Sequence, residues 1–484
     1  MFNPCRTVAR TTAPLLLGLA LAGCAVGPDY QTPQPAMPPQ WQATLPHAGS
    51  TQQLVAWWSA AGDPVLTQLI ASAEADSPTL DQAWANIESA RATLSTDTAA
   101  GLPQINGTAG VTRSGDRRAA GLPEATNRSV GADASWELDL FGKVRRNKEA
   151  ANARITARVA DWHDARISLA AEVATDYIDY RACQLQVGVY ERSVQSYQET
   201  VRLTGVNSAA GLQPPSDLAQ ARANAAAVSI ALTSTRASCD ITLKSLVALT
   251  GLSEPRLRDA LGRAPADLPA LGDVAVDSLP AQLLQQRPDL ASAEREMAAA
   301  SAEIGAAQAA KYPDLTLTGS LSLSSVLSAG ARTTTLPWSI APALTLPIID
   351  GGANNAAVRA AEARYNLALA TWRGKVRTAV QEVEQAMVRL NSAALQQADY
   401  AISVQGYQDY ENAASTNNKA GLGSALTLEL ARRDTLNARV NLIAVQRDRI
   451  EDWIALYKAL GGGWAADQAA IAPTHNQIIP GAAL

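Results

Sequence analysis

At 484 residues, with 47% hydrophobic residues but only 5% aromatic and two Phe, the chain has the composition of Ala-, Leu- and Val-rich helices rather than of an ordinary enzyme core. A net charge of −5 offers no basic field, which excludes nucleic acid as a partner. Beyond the N-terminus no run of 18 or more apolar residues occurs, which excludes a membrane-spanning helix in the mature chain.

The first element in chain order is a processing signal over residues 1–23. Arg6 and Arg10 form a positive n-region, and Ala13 to Ala22 supply a short apolar h-region. The segment ends in Leu21-Ala22-Gly23-Cys24, which resembles the lipobox of bacterial lipoproteins. That resemblance implies a diacylglycerol on Cys24. With Ala25 after it, rather than the Asp of retained lipoproteins, it also implies delivery to the outer membrane. Cys5 is then lost with the signal, which leaves Cys183 and Cys239 in an oxidising compartment.

The rest of the chain is a duplication. Pro78 and Pro288, Pro103 and Pro313, Gly142 and Gly352, Arg154 and Arg364, Gly211 and Gly421, and Gly251 and Gly461 are all 210 residues apart. A constant offset across helix, strand and turn means that one folded unit was copied without net insertion. Repeat 1 spans 66–251 and repeat 2 spans 288–461. The Pro- and Gly-rich segments 24–65, 252–287 and 462–484 are expected to form an equatorial belt: lipid-anchored segment, connector and tail.

Each repeat reads helix, strand, strand, very long helix, turn, helix. Strands are expected at about 104–113, 129–140, 314–325 and 336–348, because apolar and polar residues alternate there with period two. Ile105 to Val111, Val130 to Leu140, Leu315 to Leu323 and Leu336 to Leu346 supply the apolar faces. Asp133, Glu137 and Asp139 fall on the polar face. A soluble sheet packed on helices would show the same alternation. In a lipidated, exported chain, strands of about ten residues fit a membrane barrel better, with the apolar face to lipid, Leu317 at mid-membrane and the three carboxylates in the lumen. Four strands cannot close a barrel, and open edges do not persist in lipid. Two copies would give a filled eight-stranded plug; three give a 12-stranded barrel with an aqueous bore. A homotrimer is the economical solution.

The long helices each run 67 residues without Pro, from Gly142 to Ser208 and from Gly352 to Asn418, or roughly 100 Å at about 1.5 Å per residue. A three-four rhythm from Val173 through Tyr180, Cys183 and Val187 to Val201 is answered by Ala225, Val228, Leu232, Cys239 and Leu246 on the return helix. Cys183 and Cys239 stand at equal distances of 28 residues either side of Gly211, which places them at one height of an antiparallel hairpin. A disulfide between them is expected. The turns at Gly211 and Gly421 end the helices farthest from the strands and are the expected periplasmic aperture, with Asp217, Asn417, Asn418 and Lys419 as secondary contacts in a closed state held by helix packing.

No catalytic constellation is present in the sequence. His47, His163 and His475 are scattered without ligand spacing, so neither a metal nor another cofactor is expected, and neither Gly-Lys pair belongs to a phosphate-binding loop. The chain is not expected to be an enzyme.

The lipobox with Ala25-Val26-Gly27-Pro28-Asp29-Tyr30, the Trp57-Trp58 pair and the duplicated strand-strand-long-helix unit resemble the TolC/OprM-like outer membrane factors, in the lipoprotein (NodT-like) subgroup of tripartite efflux systems. The resemblance covers the whole chain. It implies an α+β membrane protein: a trimeric 12-stranded outer-membrane β-barrel continued by a long periplasmic α-helical barrel. It implies a passive exit duct for drugs or toxic compounds, with a periplasmic adaptor (membrane fusion) protein, a proton-driven inner-membrane pump and outer-membrane lipid as partners. Many members carry Arg, Tyr and Asp at the latch of the closed aperture, where this chain has Asn417, Asn418 and Thr427. A duct for protein or peptide secretion is the nearest alternative, and a non-channel scaffold lipoprotein the more distant one.

Overall fold

The computed structural model describes residues 25–34, 40–43, 57–60, 62–115, 124–265, 267–269 and 286–464. Cys24 with the signal segment, most of the connector beyond 265, and the tail beyond 464 lie outside the described residues. The elements are α1 (Trp57–Ala60), α2 (Pro64–Ala75), α3 (Pro78–Ala99), β1 (Gln104–Ser114), β2 (Ala125–Leu138), α4 (Lys143–Ala209), α5 (Pro215–Thr250) and α6 (Glu254–Gly262). There follow α7 (Pro288–Ala309), β3 (Asp314–Ser328), β4 (Ala331–Thr335), β5 (Trp338–Thr345), α8 (Ala353–Lys419) and α9 (Ala425–Ala459). Both long helices have 67 residues. None of the described helices is long and apolar enough to cross a membrane.

Two compact units emerge, and each draws on both repeats. The first takes its described residues from the segment ending at 34, from 85–159 and from 292–374, and holds the sheet. Its strand order is β1-β2-β3-β4, antiparallel throughout, with β5 also on β3. The expected fourth strand, 336–348, is observed as two pieces, β4 and β5, beginning at Ala331 and ending at Thr345. Pro337 breaks it because proline has no N–H for the ladder. Its carbonyl still accepts from the Ser322 N–H at 3.0 Å, and β4 and β5 share one register against β3 (Ser324 opposite Thr335, Leu321 opposite Trp338), so the chain still supplies four strand paths. β2 begins at Ala125, four residues before its expected start, and ends at Leu138 rather than 140. The early start escapes a hydropathy reading because Arg128 occupies an apolar-side position.

The segment Ala25–Tyr30 docks within this unit. Arg146, 5% exposed, donates to the carbonyls of Val26 (3.2 Å) and Gly27 (3.4 Å) and to Asp29 (2.9 Å), while Tyr30 donates to Glu294 at 2.6 Å. Gly27 has φ +100°, and a Cβ there would stand 2.3 Å from the Gly305 Cα, so only glycine fits. Ala150, Ala299 and Ala302 pack α4 against α7 at close range.

The second unit holds the helical hairpins. Val189 and Tyr197 of α4, Val228 of α5 and Leu436 of α9 form one buried cluster, and Ala414, Leu428 and Ala431 another. On α5 the buried residues Val228, Leu232, Cys239 and Leu246 fall on the expected seam, and Leu243 is buried between the last two. Trp57 stacks on Tyr457 at 5.0 Å, and Trp58 meets the same ring edge-on at 4.8 Å. Tyr177 donates to Asp63 at 2.5 Å, and the Asp63 carboxylate caps α2 through the Val65 and Leu66 N–H groups.

Candidate functional site

Over most of its length the sheet separates apolar from polar side chains by face. Opposite one another across β1, β2, β3 and β5 stand Ala109–Val130–Leu323, Gly107–Ala132–Leu321–Trp338, Ile105–Ala134–Gly319–Ile340 and Trp136–Leu317–Pro342. The other face aligns Asn106–Asp133–Ser320–Ser339 and Glu137–Thr316–Ala343. Thr108 donates to Asp133 at 3.3 Å, and the Ser320 and Ser339 hydroxyls meet at 2.8 Å. The apolar face carries large exposed side chains, among them Val130 at 65% and Trp338 at 72%, left uncovered by the described residues. Both edge paths, β1 on one side and β4 with β5 on the other, lack a strand partner among the described residues.

Of the three carboxylates expected on the polar strand face, Asp133 and Glu137 are there, and Glu137 pairs with Lys143 at 3.1 Å. Asp139 is not. It lies beyond the end of β2, and its carboxylate accepts from the N–H groups of Val144 (3.1 Å) and Arg145 (2.9 Å), satisfying donors that the first turn of α4 leaves open. Asp350 does the same for α8 through Gly352 and Asn354, at 2.8 and 2.9 Å. Asp314 joins Glu137 and Lys143 around a cavity of about 280 Å³ at this end of the sheet.

The two hairpin turns are built alike. Gly211 and Gly421 both have φ +72°, and in each a six-to-one bond (Leu212 N–H to Asn207 O, 2.9 Å; Leu422 N–H to Asn417 O, 2.8 Å) closes the end of the long helix. The Asn418 side chain donates to the Gly423 carbonyl at 3.3 Å, so it is used within its own turn. Asp217 lies in the first turn of α5 and lines a small cavity with Thr200, Thr204, Leu426 and Glu429. Lys419 is the last residue of α8. The two turns thus come together through Asp217 and the start of α9, while the Asn418 side chain and the Asn417 main-chain carbonyl serve their own turn.

Composition and spacing did not single out a buried group beside this cavity. Glu429, 6% exposed, pairs with Arg432 at 3.1 Å, and Arg432 also donates to the Thr200 hydroxyl across the hairpins. Burial pushes the Glu429 carboxyl up despite the arginine. The spacing of three between Glu429 and Arg432 was the only available signal, and it is indistinguishable from a surface helix pair.

Cys183 and Cys239 form a disulfide between α4 and α5 with a Cα separation of 5.6 Å. Elsewhere on α4 and α9, carboxylates lie close to one another. Burial, and then Glu172 and Asp179, push Asp176 up to about 6. Burial, and then Asp179, push Glu451 up to about 8, although Arg447 lies 3.4 Å away. Burial pushes Asp452 up to about 6 against the pull of Arg389. A carboxyl whose pKa is raised on folding binds its proton more tightly when folded, so its contribution is greatest below the unfolded carboxylate range near pH 4. Stability is then lost as pH rises through about 6 for Asp176 and Asp452 and about 8 for Glu451. The protein should therefore melt at lower temperature at about pH 8.5 than at about pH 6, and Glu451→Gln should flatten that difference by about 1 kcal/mol after allowance for partial exposure. An unchanged slope of melting temperature against pH in the variant would refute the assignment.

A sheet with one bare apolar face, one polar face and two open edges, joined in sequence to duplicated 67-residue helices, defines a membrane channel subunit. The family model described as outer membrane efflux protein matches twice, over residues 69–252 and 279–462, at the same 210-residue offset as the internal repeat. The chain belongs to the outer membrane efflux protein family. It is 32% identical over 473 residues to the solvent efflux pump outer membrane protein SrpC of Pseudomonas putida, covering 94% of this chain and 98% of that one. To nodulation protein T of Rhizobium leguminosarum bv. viciae it is 29% identical over 460 residues, covering 95% and 94%. Among solved structures it is similar to the outer-membrane channel OprN (TM-score 0.79, 26% identity, covering 91% of this chain and 100% of that one). It is also similar to the open state of the Neisseria gonorrhoeae MtrE outer membrane channel (TM-score 0.75, 27% identity, covering 92% and 99%). The chain is thus an outer-membrane efflux component with the fold of these channels.

Proposed function

We propose that three copies of this chain close a 12-stranded barrel and act as the passive exit duct of a tripartite pump. A periplasmic adaptor and an inner-membrane pump, proton-driven, deliver small toxic compounds to it, of the solvent and drug classes that the names of its relatives record. The observation that carries this reading is the sheet whose apolar face is bare and whose two edges are open, since a lipid-facing sheet must close on itself. Asp133 and Glu137 then face the lumen, Cys24 carries the lipid anchor, and the turns at Gly211 and Gly421 form the periplasmic aperture. The purified full-length protein should run as a trimer and give discrete single-channel steps in planar bilayers. A monomer, or a silent bilayer, would overturn the proposal.

The same recording tests the aperture. Because Asn418 is engaged with Gly423 and Glu429 with Arg432, the packed hairpins rather than an asparagine latch hold the closed state. Exchanging Asn417 and Asn418 for Ala should raise basal conductance modestly. Glu429→Ala, which leaves the half-buried Arg432 without its carboxylate, should raise it more. Equal conductance in all three proteins would remove these residues from the gate.

A further inference from the structure

All the arginines of the described strands lie on the apolar face, and all lie at one end of it. Arg113 stands opposite Thr126, and Arg332 opposite Leu327, in a single rank across the sheet: Arg113–Thr126–Leu327–Arg332. The adjacent rank reads Val111–Arg128–Ser325–Thr334. Each of these positions has the parity of the lipid-side residues Val111, Val130 and Leu323, because the registers run without a bulge. The strand acids Asp133, Glu137 and Asp314 all have the opposite parity. Charge is therefore sorted by face: cations outside, anions inside.

The depth of these arginines fixes what they can meet. Leu138, Leu315 and Leu344 form the apolar rank at the opposite end, ten residues along β2 from Arg128. Ten residues span about 34 Å along a strand, or about 26 Å of height at the tilt of a membrane barrel. The apolar band of such barrels is about 25 Å tall. Arg128 thus stands at the far border of the band, and Arg113 and Arg332 one rank beyond it, where head groups lie. A partner at this height is the lipid itself. Arg113 is already paired with Glu124, so among the described residues Arg128 and Arg332, both exposed, are the strand arginines at this end outside that ion pair.

We propose that Arg128 and Arg332 form an outward-facing site for lipid head groups bearing uncompensated phosphate charge, at the surface-side rim of the barrel. This rests on the barrel reading above. An apolar wall directly beneath two guanidinium groups matches an anionic amphiphile, whose chains lie on the wall while its phosphate meets the arginines in bidentate fashion. A free phosphate ion would have no use for the wall.

The full-length trimer, exchanged into micelles doped with phosphatidylglycerol or phosphatidylcholine, is examined for co-purifying lipid by native mass spectrometry. Wild type should retain phosphatidylglycerol preferentially. Arg128→Gln with Arg332→Gln should lower that retention about twenty-fold, and each single variant about fivefold, while Lys at both positions, which keeps the charge but not the bidentate fork, should retain an amount between wild type and the double Gln variant. Arg222→Gln, an exposed control on α5, should change nothing. Should the double variant not assemble, the two single variants decide the matter. Undiminished retention in the Gln variants, an equal fall in the Arg222 control, or complete displacement by millimolar inorganic phosphate would each overturn the proposal. Conductance recorded on the same samples separates the two readings: a conducting trimer with unchanged lipid retention sinks the lipid site alone, whereas a silent wild type sinks the duct.

Discussion

A lysine in place of Leu321 should prevent the chain from accumulating as an assembled channel, whereas a lysine in place of Asp133 should be accepted. Leu321 lies opposite Ala132 on one side and Trp338 on the other, on the apolar face, and is 51% exposed within the chain. It stands six residues from the Leu315 rank and four from the Ser325 rank, which is the middle of the apolar band. A cation on the lipid side at mid-membrane costs about 2–4 kcal/mol, and three copies would incur it together. Leu317 shares the face but lies opposite Trp136, only two residues from the Leu315 rank. The register therefore moves it from mid-membrane, where hydropathy alone puts it, toward the interface, where the same lysine costs about 0–1 kcal/mol. Asp133 points to the other face, toward Asn106 and Ser320, where water solvates a new charge. The measurement is the yield of heat-modifiable trimer in outer-membrane fractions. If the Leu321 and Asp133 variants assembled to the same level, the assignment of the faces would be wrong.

Reducing the Cys183–Cys239 bond, or replacing both residues by Ser, should lower the stability of the first hairpin by about 4 kcal/mol. The bond closes a loop with a sequence separation of 56 residues, and this length sets the chain-entropy contribution. Cys239 is 2% exposed, so a serine there also buries a hydroxyl where a sulfur packed. The loss should be local: hydrogen exchange should quicken across α4 and α5 around the bridge, while β1 to β3 keep their protection. Protein isolated without reductant and found by mass spectrometry to hold two free thiols, or equal exchange with and without reductant, would refute it.

The sequence was legible wherever one residue type performs one local task. Glycine at 211 and 421, prolines at 78 and 288, and period-two alternation from Leu315 to Leu323 mark turns, helix starts and a strand without reference to anything distant. The paired cysteines were legible for a related reason: an antiparallel hairpin converts equal sequence distance into equal height, and both residues lie on seam positions. What reading along the chain left undetermined was partnership. Asp139 has the spacing of a lumen carboxylate, yet it caps α4, because the strand ends one residue before it. Glu429 and Arg432 look like a surface pair until Thr200 of another helix is seen to accept from the same guanidinium.

Arg128 shows the division most clearly. In the sequence it interrupts an apolar pattern and shortens the expected strand. In the sheet it occupies a lipid-side position at a defined depth, beside the rank of Arg113 and Arg332. Local backbone preference and hydropathy period are properties of neighbouring residues, so the sequence by itself determined the elements, their duplication and the two faces of each strand. Register, depth and the choice of partner depend on residues up to hundreds of positions apart, and only the packing of one element on another decided them.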